Sequence, residues 1–95
     1  MNIKRSSLFK EQFKEIIFYI AQDKKYAAKN FKDKLNKEID NLIHFPYKYR
    51  TSYYYNDINI RDMIFEGYTI VYRINKNTIE ILEIFNKNKP VEESI

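Results

Sequence analysis

The spacing of apolar residues changes period once along this chain, at Pro46, and that change fixes most of what the chain can fold into. Before it, apolar side chains recur at helical intervals. Phe9, Phe13, Ile16, Ile17 and Ile20 make one stripe, and Ala28, Phe31, Leu35, Ile39, Leu42 and Ile43 make a second. Ser6 or Ser7 offers an N-cap oxygen to the first helix. Gln22-Asp23-Lys24 interrupts the pattern, with Asp23 expected to cap the second helix. Two apolar stripes joined by so short a turn must fold against each other as a helical hairpin. Pro46 then forbids continuation and pushes Phe45 towards extended geometry. The lone histidine, His44, falls in the last helical turn, where a donor suits the unpaired carbonyls.

Beyond Pro46 the pattern belongs to strands. Ile60–Phe65, Tyr68–Ile74 and Thr78–Phe85 are rich in β-branched and aromatic residues and are separated by Glu66-Gly67 and by Asn75-Lys76-Asn77, which predicts an antiparallel meander. Gly67 is expected to supply a positive φ in the first hairpin, and Asn75 or Asn77 in the second. The run from Ile58 to Phe65 changes phase near Arg61-Asp62, where a bulge is expected. In 68–74, Tyr68, Ile70, Tyr72 and Ile74 share one face while Thr69, Val71 and Arg73 share the other. Both faces being largely apolar, this is a central strand. Asn2-Ile3-Lys4-Arg5 is short and suited to pair as an N-terminal strand. The expected fold is therefore α+β: an N-terminal strand and an antiparallel helical hairpin packed on one face of a small antiparallel sheet. The second face of the central strand needs cover, from a partner chain or the C-terminal tail; residues 86–95 are too short and polar to provide it alone, which points to a protein partner.

Between helices and meander lies an aromatic connection, residues 47–59, with Tyr47, Tyr49, Tyr53, Tyr54 and Tyr55 beside Lys48 and Arg50. Such interleaving suits base stacking and phosphate contact, anchoring of a loop on a sheet, or a protein interface.

At 95 residues the chain makes a single domain, 1–95, with a polar C-terminal tail over 86–95. The lack of cysteine excludes a thiolate metal site and a cysteine nucleophile, and one histidine excludes a histidine-rich metal centre, so no metal and no cofactor are expected. The longest apolar run, Ile16 to Ala21, is far too short for a membrane span, which makes a soluble cytoplasmic protein the expectation. The net charge of +4 is unevenly spread: residues 1–50 carry +6 and residues 51–95 carry −2. The excess sits on the helices, whereas a nuclease working across the sheet would concentrate cations there.

One ordered set of residues spans nearly the whole chain: Tyr19-Ile20-Ala21, Ala27-Ala28, Phe31, Leu35, Ile39, Leu42, Phe45-Pro46, Tyr49-Arg50, Ile60-Arg61, Gly67-Tyr68, Ile70-Val71-Tyr72-Arg73 and Ile79-Glu80-Ile81-Leu82. In order and spacing it resembles toxins of the RelE/ParE superfamily from bacterial type II toxin–antitoxin systems, and its helical half is more similar to the ParE branch. That resemblance implies a growth inhibitor that poisons DNA gyrase, a binding poison rather than an enzyme, neutralised by an antitoxin. The RelE branch implies instead a ribosome-dependent mRNA endoribonuclease. Those nucleases carry an arginine after the Gly-Tyr of the third strand, where this chain has Thr69, and no tyrosine follows Tyr72 to stand for their C-terminal aromatic. Were the chain such a nuclease, its candidate catalytic residues would be Arg50, Arg61, Arg73 and Lys89. The resemblance also admits a non-toxic homologue that only binds antitoxin. For Arg73, a cross-strand pair with Glu83 stands beside function, and for Arg61 a pair with a nearby carboxylate. The expected partner is an acidic, amphipathic antitoxin segment lying along the hairpin or sheet, with Phe13, Ile17, Phe31 and Leu35 as the antitoxin-binding residues.

Overall fold

The computed structural model describes residues 1–86. The chain runs β1 (Asn2–Arg5), α1 (Ser7–Asp23), α2 (Lys25–Asp40), a 3₁₀ turn (Asn41–Ile43), β2 (Arg50–Thr51), β3 (Ile60–Phe65), β4 (Tyr68–Ile74) and β5 (Thr78–Asn86). The strands form one mixed sheet in the order β1-β5-β4-β3-β2. β1 pairs with β5 in parallel, and every other pairing is antiparallel. The two helices pack on one face, so the expected α+β architecture holds. Among the described residues no helix is long and apolar enough to cross a membrane.

The core lies where both helical stripes meet one face of the sheet: Phe9, Phe13, Phe31, Leu35, Ile39 and Leu42 against Met63, Ile70, Tyr72, Ile74, Ile79, Ile81 and Ile84. Ser6 caps α1, its Oγ accepting the Phe9 amide at 2.9 Å, and its hydroxyl donates to the Leu82 carbonyl at 2.7 Å. The Ile84 amide donates to Gln12 Oε1 at 2.8 Å. β1 reaches only as far as Ile81 along β5, and side chains from the start of α1 thus satisfy the backbone edge that β1 leaves uncovered.

Several local expectations change. The helices part at Lys24, whose φ of −147° and ψ of 116° are extended; Asp23 is the last residue of α1 and makes no cap, so the hairpin turns on one residue of backbone. The bulge lies in β5, where the pairing steps from Val71–Glu83 to Tyr72–Ile81, while β3 pairs without interruption from Ile60 to Phe65. This accounts for the broken alternation of Ile79, Ile81 and Ile84. Gly67 has φ of +88° as expected, but its partner in the turn is Glu66 at +47°, and neither Asn75 nor Asn77 adopts positive φ.

The second sheet face is covered by the chain itself rather than waiting for a partner. Thr69 and Val71 are fully buried there. After β2 the connection folds over that face: Tyr54 meets Phe85 edge-on at 5.2 Å, and the Tyr55 hydroxyl donates to Glu83 at 2.6 Å. Tyrosines that sequence alone left open between stacking, anchoring and partner contact are thus in part anchors.

Candidate functional site

Strand alternation separates the candidate arginines. In β3, Arg61 faces the helix side with Tyr72 as its cross-strand neighbour, whereas Asp62 faces the other side with Val71. Arg50, opposite Asp62, and Arg73, opposite Ile60, share that second face. A joint site of Arg50, Arg61 and Arg73 is therefore not assembled, and Lys89 lies outside the described residues.

Each arginine is held by groups of the chain. Arg50 reaches Asp62 Oδ2 at 3.4 Å, and its guanidinium stacks on Tyr53 at 3.8 Å from the ring centre. Asp62 is buried; the same oxygen accepts the Tyr53 amide at 3.1 Å, while Oδ1 finds no hydrogen-bond partner among the described residues. Arg73 pairs with Glu80, directly across on β5, at 3.3 Å; Glu83, the partner expected from sequence, faces Val71 and is taken by Tyr55. Arg61 meets no carboxylate among the described residues. It donates to the carbonyls of Ile58 at 3.0 Å and Tyr49 at 3.1 Å and lies over Tyr47 at 4.9 Å.

These contacts brace the aromatic connection. The Tyr72 hydroxyl, fully buried, donates to the Pro46 carbonyl at 2.6 Å, and burial raises its pKa well above the ordinary tyrosine value. The Tyr49 hydroxyl reaches Glu38 at 3.3 Å, and burial foremost raises its pKa too. Tyr55 is pushed up to about 12, first by the hydrogen bond its neutral hydroxyl gives to Glu83. Protonated at neutral pH like any tyrosine, these phenols stay donors further into the alkaline range than an ordinary one.

On the hairpin, Phe13, Phe31 and Leu35, three of the four residues expected to bind an antitoxin, are buried in the core, and Phe13 also lines the wall of a groove between the helices. Both stripes are consumed by packing on the sheet. Ile17, half-buried, remains accessible in a groove of about 290 Å³ between the helices. Arg5, Lys10, Lys14 and Lys32 line that groove together with Asn36, and among the described residues no carboxylate does. Arg5 donates to Asn36 at 2.8 Å and lies near Phe9. Sequence placed the positive excess on the helices; the antiparallel hairpin gathers part of it at one cleft.

No group of three or more His, Cys, Asp or Glu side chains among the described residues is arranged to hold a metal ion. Two surface features stand out among the described residues: a basic groove on the hairpin and a braced aromatic connection beside the sheet.

No curated protein sequence matches the chain significantly. Among solved structures, a chain of the chromosomal ParDE toxin–antitoxin system from P. aeruginosa is similar in fold, with a TM-score of 0.73 over 90% of this chain and 95% of that one, at 15% identity. The profile of the ParE toxin of the type II toxin–antitoxin system parDE matches residues 3–89, and the chain accordingly belongs to the ParE toxin family.

Proposed function

We propose that this chain is a growth-inhibiting toxin that acts in the cytoplasm by binding and poisoning DNA gyrase, and that a cognate antitoxin neutralises it. The observation that carries this reading is the engagement of Arg50, Arg61 and Arg73 by Asp62, by backbone carbonyls and by Glu80, on opposite faces of the sheet. Phosphodiester cleavage needs cations and proton-transfer groups aimed at one point. Here these three arginines are engaged by groups of the fold, which favours a binding poison over a ribonuclease.

The antitoxin's toxin-binding segment is acidic and amphipathic and lies along the interhelical groove, with an apolar residue on Ile17 and carboxylates towards Lys10, Lys14 and Lys32. The P. aeruginosa neighbour, described as a ParDE system, supports an antitoxin partner for a protein of this fold.

The test is supercoiling by purified gyrase in the presence of the purified chain, with cleaved DNA scored after denaturation. Inhibition with accumulating DNA breaks, relieved by the antitoxin, is expected. In cells, pulse-labelling should show DNA synthesis falling first. If protein synthesis falls first while gyrase is untouched, the chain acts on translation and the gyrase reading is wrong.

A further inference from the structure

Of the twelve large apolar side chains exposed among the described residues, seven lie between Ile43 and Ile58, so the connection before β3 is the most apolar exposed stretch of the chain. Phe45 is 69% exposed, Tyr47 53% and Ile58 68%. They are also held in place. Arg61 donates to the Ile58 carbonyl and lies against the Tyr47 ring, the Tyr47 hydroxyl donates to Asn59 at 3.1 Å, and Tyr72 anchors Pro46. An apolar patch on a braced loop loses little conformational entropy on binding, as a protein-binding hot spot requires. The brace is made from a buried tyrosine and an arginine that also donates to the Tyr49 carbonyl at 3.1 Å.

Beside the patch is a hollow of about 230 Å³ bounded by Leu42, Phe45 and Tyr49, with Lys48 on its wall. Its one carboxylate, Glu38, accepts the Tyr49 hydroxyl. Residues 45–56 contain Lys48 and Arg50 and no acidic residue, and Arg50 is occupied by Asp62. Lys48 is left as the cation of the patch.

We infer that this loop end is the surface through which the chain grips its target, and that it fits a folded protein surface presenting an apolar side chain beside a carboxylate. The apolar group enters the hollow and the carboxylate pairs with Lys48. A nucleic acid fits less well, since a backbone site needs several free cations and, among the described residues of the patch, Arg50 is held by Asp62 and Arg61 by two backbone carbonyls. The carboxylates that a second copy would bring from the same surface are already engaged, Glu38 by the Tyr49 hydroxyl and Asp57 by the Asn59 amide. The inference rests on the toxin reading for its occupant and separates the target surface from the basic groove assigned to the antitoxin.

The test is the double variant Phe45→Ala/Lys48→Glu, both side chains exposed, with thermal melting to confirm an unchanged fold. Binding to immobilised purified gyrase, to the antitoxin and to a labelled duplex oligonucleotide is measured for variant and unaltered chain. Affinity for gyrase is expected to fall at least about tenfold, with antitoxin affinity unchanged. Unchanged gyrase affinity, or an equal loss towards both proteins, overturns the inference, as does tight oligonucleotide binding that the variant loses. If the unaltered chain does not bind gyrase, the gyrase reading has failed on its own, and growth arrest on induction decides. Arrest lost in the variant keeps the surface with another protein as target; arrest kept, or no arrest by either chain, overturns it.

Discussion

Arg50, a catalytic candidate in sequence, is tied in the structure to the buried Asp62. Asp62 is buried with one oxygen bound to Arg50 and to the Tyr53 amide. Removing Arg50 leaves a buried carboxylate short of a partner, so Arg50→Ala should cost about 1–3 kcal/mol in urea unfolding. Arg73, paired with Glu80 on a partly exposed surface, should lose less than about 1 kcal/mol as Arg73→Ala, with gyrase inhibition unaltered. An Arg73→Ala chain of normal stability that no longer inhibits would assign Arg73 to function instead. Tyr55 gives a pH signature. Its folded pKa is raised from 10.0 to about 12, so the neutral phenol's contribution is fully present below pH 10 and is lost as pH rises towards 12. Tyr55 is partly exposed, which screens the effect and keeps it small. Alkaline unfolding curves should therefore show Tyr55→Phe with a shallower loss between pH 10 and 12, set against the background from Tyr72, whose pKa is also raised.

Among the elements, the first β-hairpin turns on Glu66 and Gly67, both at positive φ, the requirement of a type I′ turn. Nothing approaches the position a Gly67 Cβ would take, yet an L side chain at φ +88° is strained, so Gly67→Ala should cost about 1–2 kcal/mol. Glu66→Asn, which tolerates positive φ better, should gain a few tenths of a kcal/mol, and thermal melting of the two variants checks both signs. Gly67 was legible because a lone glycine between two apolar runs has few other uses. The helices and β3–β5 were legible for a similar reason: their period is repeated over many residues. What escaped was set by tertiary contact. The two residues of β2 have no period to read, and they form a strand because Arg50 and Thr51 lie across from Asp62 and Arg61. The bulge moved to β5 because the broken phase of 58–65 came from the loop before β3, while that of 79–84 is a real step in pairing. On the helices, hydrophobicity at helical spacing marked the stripe that packs inward, whereas the gathering of lysines at one groove depends on how the hairpin folds.

Across the whole molecule, the basic interhelical groove and the hollow at the aromatic loop end share α2 but no lining residue, so charge changes in one should leave the other intact. Lys14 and Lys32 come from different helices and line the same groove beside Ile17. Both lie on exposed helix surface, and reversing them should not disturb the core. In Lys14→Glu/Lys32→Glu, antitoxin affinity should fall about tenfold or more at low salt, mainly through faster dissociation and weaker steering. Because the lost term is electrostatic and exposed, the gap between variant and unaltered chain should narrow as salt rises and the screening length shortens to about 3 Å at 1 M. Gyrase inhibition by the purified variant should be unchanged, and in cells the variant should escape an antitoxin dose that silences the unaltered toxin. Titration calorimetry at two salt concentrations decides the matter. An affinity loss independent of salt would mean that the substitutions disturbed packing, and no loss at all would move the antitoxin off the hairpin groove.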